Sequence, residues 1–252
     1  MTDATTFGPL DAAFSRALAP WVGATGPVGV LFSGGVDSGL LAWELRHRPG
    51  LVLSTVGTPS SPDLRAARGA AGIVGVRWVP SEVTVSDVRA LPRPVRAECA
   101  DLPRTARSVL TAFALALQKS PSGVVLCGQG ADELFLGYAH YRGLDAASAR
   151  ERSEADLRQL QERDWLRSQR IAHHLERVVT APYLEPEFVR AARDVPIERR
   201  MPVPVPKAFF REWAVHRGLP AEIALRPKRA LQFGSGIDKL LPHPAGGARP
   251  ER

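Results

Sequence analysis

The sequence predicts an α/β fold, a mostly parallel sheet with helices on both faces, followed by a helical C-terminal part. Three observations carry this. Short β-branched runs alternate with helical patterns through the first half of the chain. The run at residues 124–127 is apolar without interruption, as in a strand buried on both faces. From about residue 145 the pattern becomes helical, with proline-rich loops.

Residues 10–18 read as an apolar helix inside a lead-in, residues 1–27, that closes in a Pro/Gly-rich stretch ending at Pro27. Residues 28–32 are the first strand, and residues 38–46 after it place Leu40, Leu41 and Leu45 on one side of a helix. A second strand at 51–56, a helix at 63–71 and a third strand at 74–79 follow. Prolines 92, 94 and 103 punctuate the next segment; residues 105–119 are helical by period and alanine content, and 124–127 form the fourth strand. This places the main domain at residues 28–240, with residues 241–252 as a disordered tail.

The 252 residues can bury a sizeable core, and 44% apolar with 23% charged residues excludes collagen-like, coiled-coil and wholly disordered classes. No apolar run approaches the roughly 20 residues of a membrane helix, so no membrane partner is expected. No secretory signal is evident at the N-terminus. Cys99 and Cys127 alone offer neither a disulfide framework nor a Cys-x-x-Cys site, and a reduced, cytoplasmic setting is expected. The net charge is +7, and lysine occurs only at 119, 207, 228 and 239, so arginine supplies nearly all the positive charge. These arginines are dispersed and often alternate with acids, the pattern of solvated helix faces, which speaks against a nucleic-acid partner.

Two turns carry the chemistry. After the first strand comes Ser33-Gly34-Gly35-Val36-Asp37-Ser38. Its glycines let successive amides turn inward as an anion nest, the helix beginning at Ser38 adds its positive end, and the hydroxyls of Ser33 and Ser38 are further donors. Asp37 would repel a phosphate unless a cation lay between them, which implies Mg²⁺. It is not a Walker loop, which has a longer glycine spacing and ends in Lys-Ser or Lys-Thr. After the fourth strand comes Gly128-Gln129-Gly130-Ala131-Asp132-Glu133-Leu134-Phe135, with Gly137-Tyr138 beyond it. This repeats the design at the same sheet edge, so Asp37 and Asp132 could share Mg²⁺ that bridges phosphates.

The first turn resembles the pyrophosphate loop of the PP-loop ATP pyrophosphatases, whose fold is adenine nucleotide α-hydrolase-like. The second resembles the Gly-Glu-Gly-(Ser/Ala)-Asp-Glu-x-Phe-x-Gly-Tyr signature of the asparagine synthetase synthetase domain. Residues 226–236, with Lys228, Gln232 and Phe233, are similar to that family's Lys-x-x-x-Gln-Phe segment. A weaker match runs from Arg170 through His174 to Pro182 and Leu184.

The resemblance implies an ATP- and Mg²⁺-dependent ligase that adenylates a small carboxylic acid, releases pyrophosphate, and joins the acyl group to ammonia or another amine. It implies Lys228, Asp37 and Asp132 as catalytic, and Asp37 and Asp132 as metal ligands. ATP and pyrophosphate would lie against Phe32, Ser33, Gly34, Gly35, Asp37, Ser38, Val56, Cys127 and Gly128, with Gln129, Tyr138, Arg170 and His174 on the substrate side. Three positions depart from the family: Gln129 replaces a glutamate, and Val178 and Thr180 replace an acid and an arginine. An amide cannot act as a base. Thr2 stands where glutamine-using members begin with a catalytic cysteine, so a form without the glutaminase domain is expected. Nitrogen would then come from free ammonia, another amine, or a separate amidotransferase or substrate-carrier protein. β-Lactam-synthetase-like amide formation, tRNA modification and a decayed nucleotide-binding scaffold remain alternatives.

Overall fold

The computed structural model describes residues 7–59, 61–203, 205–227 and 234–241. The expected tail beyond residue 241 and the proposed Lys228 lie outside them. Five strands form one parallel sheet: β1 Val28–Leu31, β2 Leu51–Gly57, β3 Arg77–Glu82, β4 Val124–Leu126 and β5 Val178–Thr180. Their order is β3-β2-β1-β4-β5. Val28 aligns with Leu51 on one side and Val124 on the other, and Val124 with Val178.

The side-chain period of two divides the strands between two cores. Val28, Val30, Leu51, Leu53 and Leu126 face one cluster, which α1 (Gly8–Val22), α2 (Val36–Leu45), α3 (Pro62–Val74), α10 (Pro186–Asp194) and α12 (Ala208–His216) complete. Val56, Val125 and Cys127 face the other, closed by α5 (Arg93–Ala100), α6 (Arg104–Lys119) and α9 (Trp165–His174). The expected two-faced sheet is what the structure shows. Among the described residues no helix is long and apolar enough to cross a membrane.

Three local differences from the sequence reading have physical causes. The third strand starts at Arg77, because α3 runs on to Val74 and is closed by Gly75 at φ +73°, whose amide bonds the Ala71 carbonyl. The second helix begins at Val36 with Gly35 as its N-cap, so Asp37 lies in the first turn. The fifth strand has only three residues and an exposed Val178, too short and too mixed to show as a periodic run. It exists because it pairs with β4.

The lead-in is part of the main core: Leu10, Phe14 and Leu18 of α1 are buried in the first cluster. Arg48, itself buried, donates to the carbonyls of Trp21, Ala24, Gly26 and Pro49 and so ties the end of α1 to the sheet. Arg48→Ala would leave these carbonyls without their donor and is expected to cost about 2–3 kcal/mol. The urea midpoint measures it, and an unchanged midpoint would refute the clamp.

Candidate functional site

The chain runs outward from β1 through β2 to β3 and then returns to place β4 on the opposite side of β1. The strand order therefore reverses between β1 and β4, and the crevice beyond their carboxyl ends is the position such sheets use for ligands. Both glycine turns open there.

In the first turn, the Ser33 amide donates to the Ser38 hydroxyl at 3.2 Å, and the Gly35 amide to the Ser33 hydroxyl at 3.4 Å. Gly34 has φ +70°, and a Cβ there would lie 2.9 Å from the Ala66 carbonyl of α3, so glycine is required twice over. The bend sits directly before α2, whose first-turn amides have no intrahelical acceptors. Arg226 donates to the Ser33 carbonyl at 3.0 Å from the outside.

The second turn passes so close to the first that a Cβ on Gly128 would lie 2.9 Å from Cβ of Asp37. Asp132, in the short helix α7 (Ala131–Leu134), is thereby brought to the same place as Asp37. Between them is a lysine that lies outside every sequence motif. Lys207 is 1% exposed, and its Nζ lies 2.6 Å from Asp37 Oδ1 and 2.7 Å from Asp132 Oδ1. It is held at φ +59°, immediately before α12. Burial alone would lower the pKa of this ammonium; the two carboxylates outweigh that and raise it, so Lys207 is a fixed cation. Tyr183, fully buried, donates its hydroxyl to the Asp37 carbonyl at 2.8 Å.

Gly137 closes the cluster: a Cβ there would fall 1.8 Å from Asp132 Oδ1 and 2.3 Å from Lys207 Cε. Next to it, Tyr138 donates its hydroxyl to Glu133 Oε1 at 2.6 Å. The Glu133 carboxyl is pushed up to about 7, first by burial and then by the neighbouring Asp132 charge. Tyr138, expected on the substrate side, thus bonds the buried acid Glu133.

Phe32 is buried in one core cluster, and Val56 and Cys127 in the other. The Phe32 amide donates to Ser54, its carbonyl accepts the Thr55 hydroxyl, and the Cys127 amide donates to Thr180. These backbone groups, expected to line a nucleotide pocket, already hold the sheet edge. Burial raises the Cys127 thiol to about 12, which keeps it protonated. The Gln129 amide nitrogen reaches Ser168 of α9 at 3.4 Å. Arg170 forks onto Glu98 of α5 at 2.8 and 2.9 Å, and His174 is exposed in the last turn of α9.

The third motif enters through its ends. Arg226 opens it, and near its close the Ser235 carbonyl accepts from the Thr58 amide at 2.8 Å, just past the carboxyl end of β2. Lys207 carries one sequence signal, the scarcity of lysine in the chain. Arg226 stands inside a motif segment, and Tyr183 lies within the weaker match between Pro182 and Leu184.

Asp37 and Asp132 suit Mg²⁺, which takes one or two protein carboxylates and completes its shell with phosphate oxygens and water. Among the described residues no group of three or more His, Cys, Asp or Glu forms a protein-only metal cage. A glycine-serine turn at a helix N-terminus, holding one acid and met by a second from across the sheet's switch point, belongs to the class of doubly wound parallel α/β domains.

The chain belongs to the asparagine synthase family, whose model matches residues 10–154 and 142–243. It is 33% identical over 231 residues to a Pongo abelii asparagine synthetase (glutamine-hydrolysing), covering 84% of this chain and 40% of that one. It is 30% identical over 244 residues to asparagine synthetase 3 (glutamine-hydrolysing) of Arabidopsis thaliana, covering 86% and 42%. The chain thus spans about two fifths of the length of these relatives. Among solved structures it is similar to the U34-tRNA thiolase NcsA of Methanococcus maripaludis, with a TM-score of 0.42 and 13% identity over 94% of this chain and 80% of that one. The family is one of ATP-dependent amide-forming ligases.

Proposed function

We propose that this chain adenylates a small carboxylic acid with ATP, releasing pyrophosphate, and transfers the acyl group from AMP to ammonia or another amine. The observation that carries this is the anion turn of Ser33–Ser38 set against the Asp37–Lys207–Asp132 cluster at one crevice. A carboxylate oxygen of the acid attacks the α-phosphorus, and the bond to the bridging oxygen of pyrophosphate breaks. Turn amides and the hydroxyls of Ser33 and Ser38 would hold the leaving pyrophosphate, where charge develops as the bond breaks. Lys207, already fixed and dry, would balance the acid pair and face the same charge. Lys228 is the resemblance's candidate for the α-phosphate. Asp37 and Asp132 would hold Mg²⁺, which supplies charge neutralisation between phosphates. The amine then attacks the acyl carbon, AMP leaves, and a proton is lost to solvent or to a base that Gln129 cannot be.

The test is incubation with ATP, Mg²⁺, hydroxylamine and a panel of carboxylic acids. Hydroxamate with equimolar AMP and pyrophosphate is the expected result, and the acid that yields it names the substrate. ADP with orthophosphate, or no AMP with any acid, would overturn the proposal.

A further inference from the structure

The turn and the acid pair are each held by a cation, and the two cations come from separate segments. Arg226 bonds the Ser33 carbonyl; Lys207 bonds Asp37 and Asp132. A third basic residue joins them. Arg211 of α12 is 5% exposed, and its guanidinium donates to three carbonyls: Nε to Pro206 at 3.0 Å, and Nη1 to Ala224 at 2.5 Å and Arg226 at 2.9 Å. Its own amide donates to the Lys207 carbonyl at 2.9 Å. One planar group thus spans the residue before Lys207 and the backbone of Arg226.

Its placement is costly. Burial lowers the pKa of Arg211, opposed only at longer range by Asp37 and Asp132. Among the described residues no carboxylate forms an ion pair with it. A buried charge satisfied only by carbonyls is a poor device for stability, since an apolar residue would pack there without the desolvation cost. What the guanidinium alone supplies is a rigid fork with donors at fixed angles.

We infer that Arg211 is a positioning residue that sets the spacing between Lys207 and Arg226, so that the phosphate-facing turn and the acid pair form one rigid site. This rests on the proposed ATP reading. Arg211 touches neither the turn nor the acids, and acts through the two cations.

The experiment measures binding of inorganic pyrophosphate and of Mg²⁺-ATP by calorimetry to the whole chain and to Arg211→Lys, Arg226→Gln and the double variant, with urea midpoints alongside. Arg211→Lys keeps the charge and loses the fork. It is expected to weaken pyrophosphate binding about tenfold, because small misplacement of a binding group is expensive. Arg226→Gln should do the same. The double variant should lose little more than either single one, since each removes the same arrangement. Multiplicative losses in the double variant, or unchanged binding in Arg211→Lys, would overturn the inference. Should Arg211→Lys unfold, Arg211→Gln with added guanidinium is the second arm: recovery of pyrophosphate binding by guanidinium, and not by methylammonium, supports the fork, and its absence overturns it. Failure of the unaltered chain to bind ATP or pyrophosphate would instead overturn the ATP reading, and this inference with it.

Discussion

Lys207→Met is expected to lose AMP formation by about 10²–10³-fold, the scale seen when one preorganised electrostatic contact is removed from a reacting centre. Methionine matches the length and much of the volume of lysine, so the variant isolates the charge. Without it, Asp37 and Asp132, each within 2.7 Å of the same nitrogen, would face each other with no cation between them. One must then take up a proton or swing away. Breaking a fully buried pair costs about 3–5 kcal/mol. Both aspartates keep partial exposure, so a smaller loss of about 2 kcal/mol is expected. Adding Asp132→Asn should recover most of that stability by removing the repulsion, while activity stays lost. Retention of AMP formation within about threefold in Lys207→Met would show that the cation is not part of the machinery.

Gly137→Ala is the second substitution with a large expected effect. The added methyl would overlap Asp132 Oδ1 and Lys207 Cε, at 1.8 and 2.3 Å, both well inside contact distance. Neither neighbour can retreat freely. Asp132 leaves a short helix whose end is tied by the Gly137 amide bonding the Asp132 carbonyl at 2.8 Å, and Lys207 is buried at the head of α12. Overpacking of this kind costs about 1–3 kcal/mol. Because it falls on the acid-lysine contact itself, AMP formation should drop at least as far as in Lys207→Met. Gly72→Ala is the control: it lies in α3 with nothing within 4 Å of its added Cβ, and should leave activity intact. Its stability should rise by about 0.5–1 kcal/mol. Full activity in Gly137→Ala would mean that the cluster tolerates being opened.

Asp37 and Asp132 were legible because each sits in a glycine turn whose residues are contiguous and whose strand and helix are local. Lys207 was not: its flanks, Pro206 and Ala208, carry no motif, and its partners lie far away along the chain. Tyr183 lies between Pro182 and Leu184 of the weaker match, and only the fold shows that its hydroxyl supports Asp37. Arg170 illustrates the reverse. Its motif match is local, and its partner Glu98 comes from another helix, which no short-range pattern could reveal.

By itself the sequence determined the alternation of strands and helices, the two glycine turns, and the two acids they deliver. Backbone sterics and hydrophobic period act over a few residues, so those features are written locally. Only the tertiary structure decided that β4 lies beside β1, that a buried lysine from the far end of the chain joins their acids, and that Arg211 couples that lysine to Arg226. Those choices depend on packing two cores against one sheet and on satisfying buried charges. They are set by contacts among distant segments, which no local window contains.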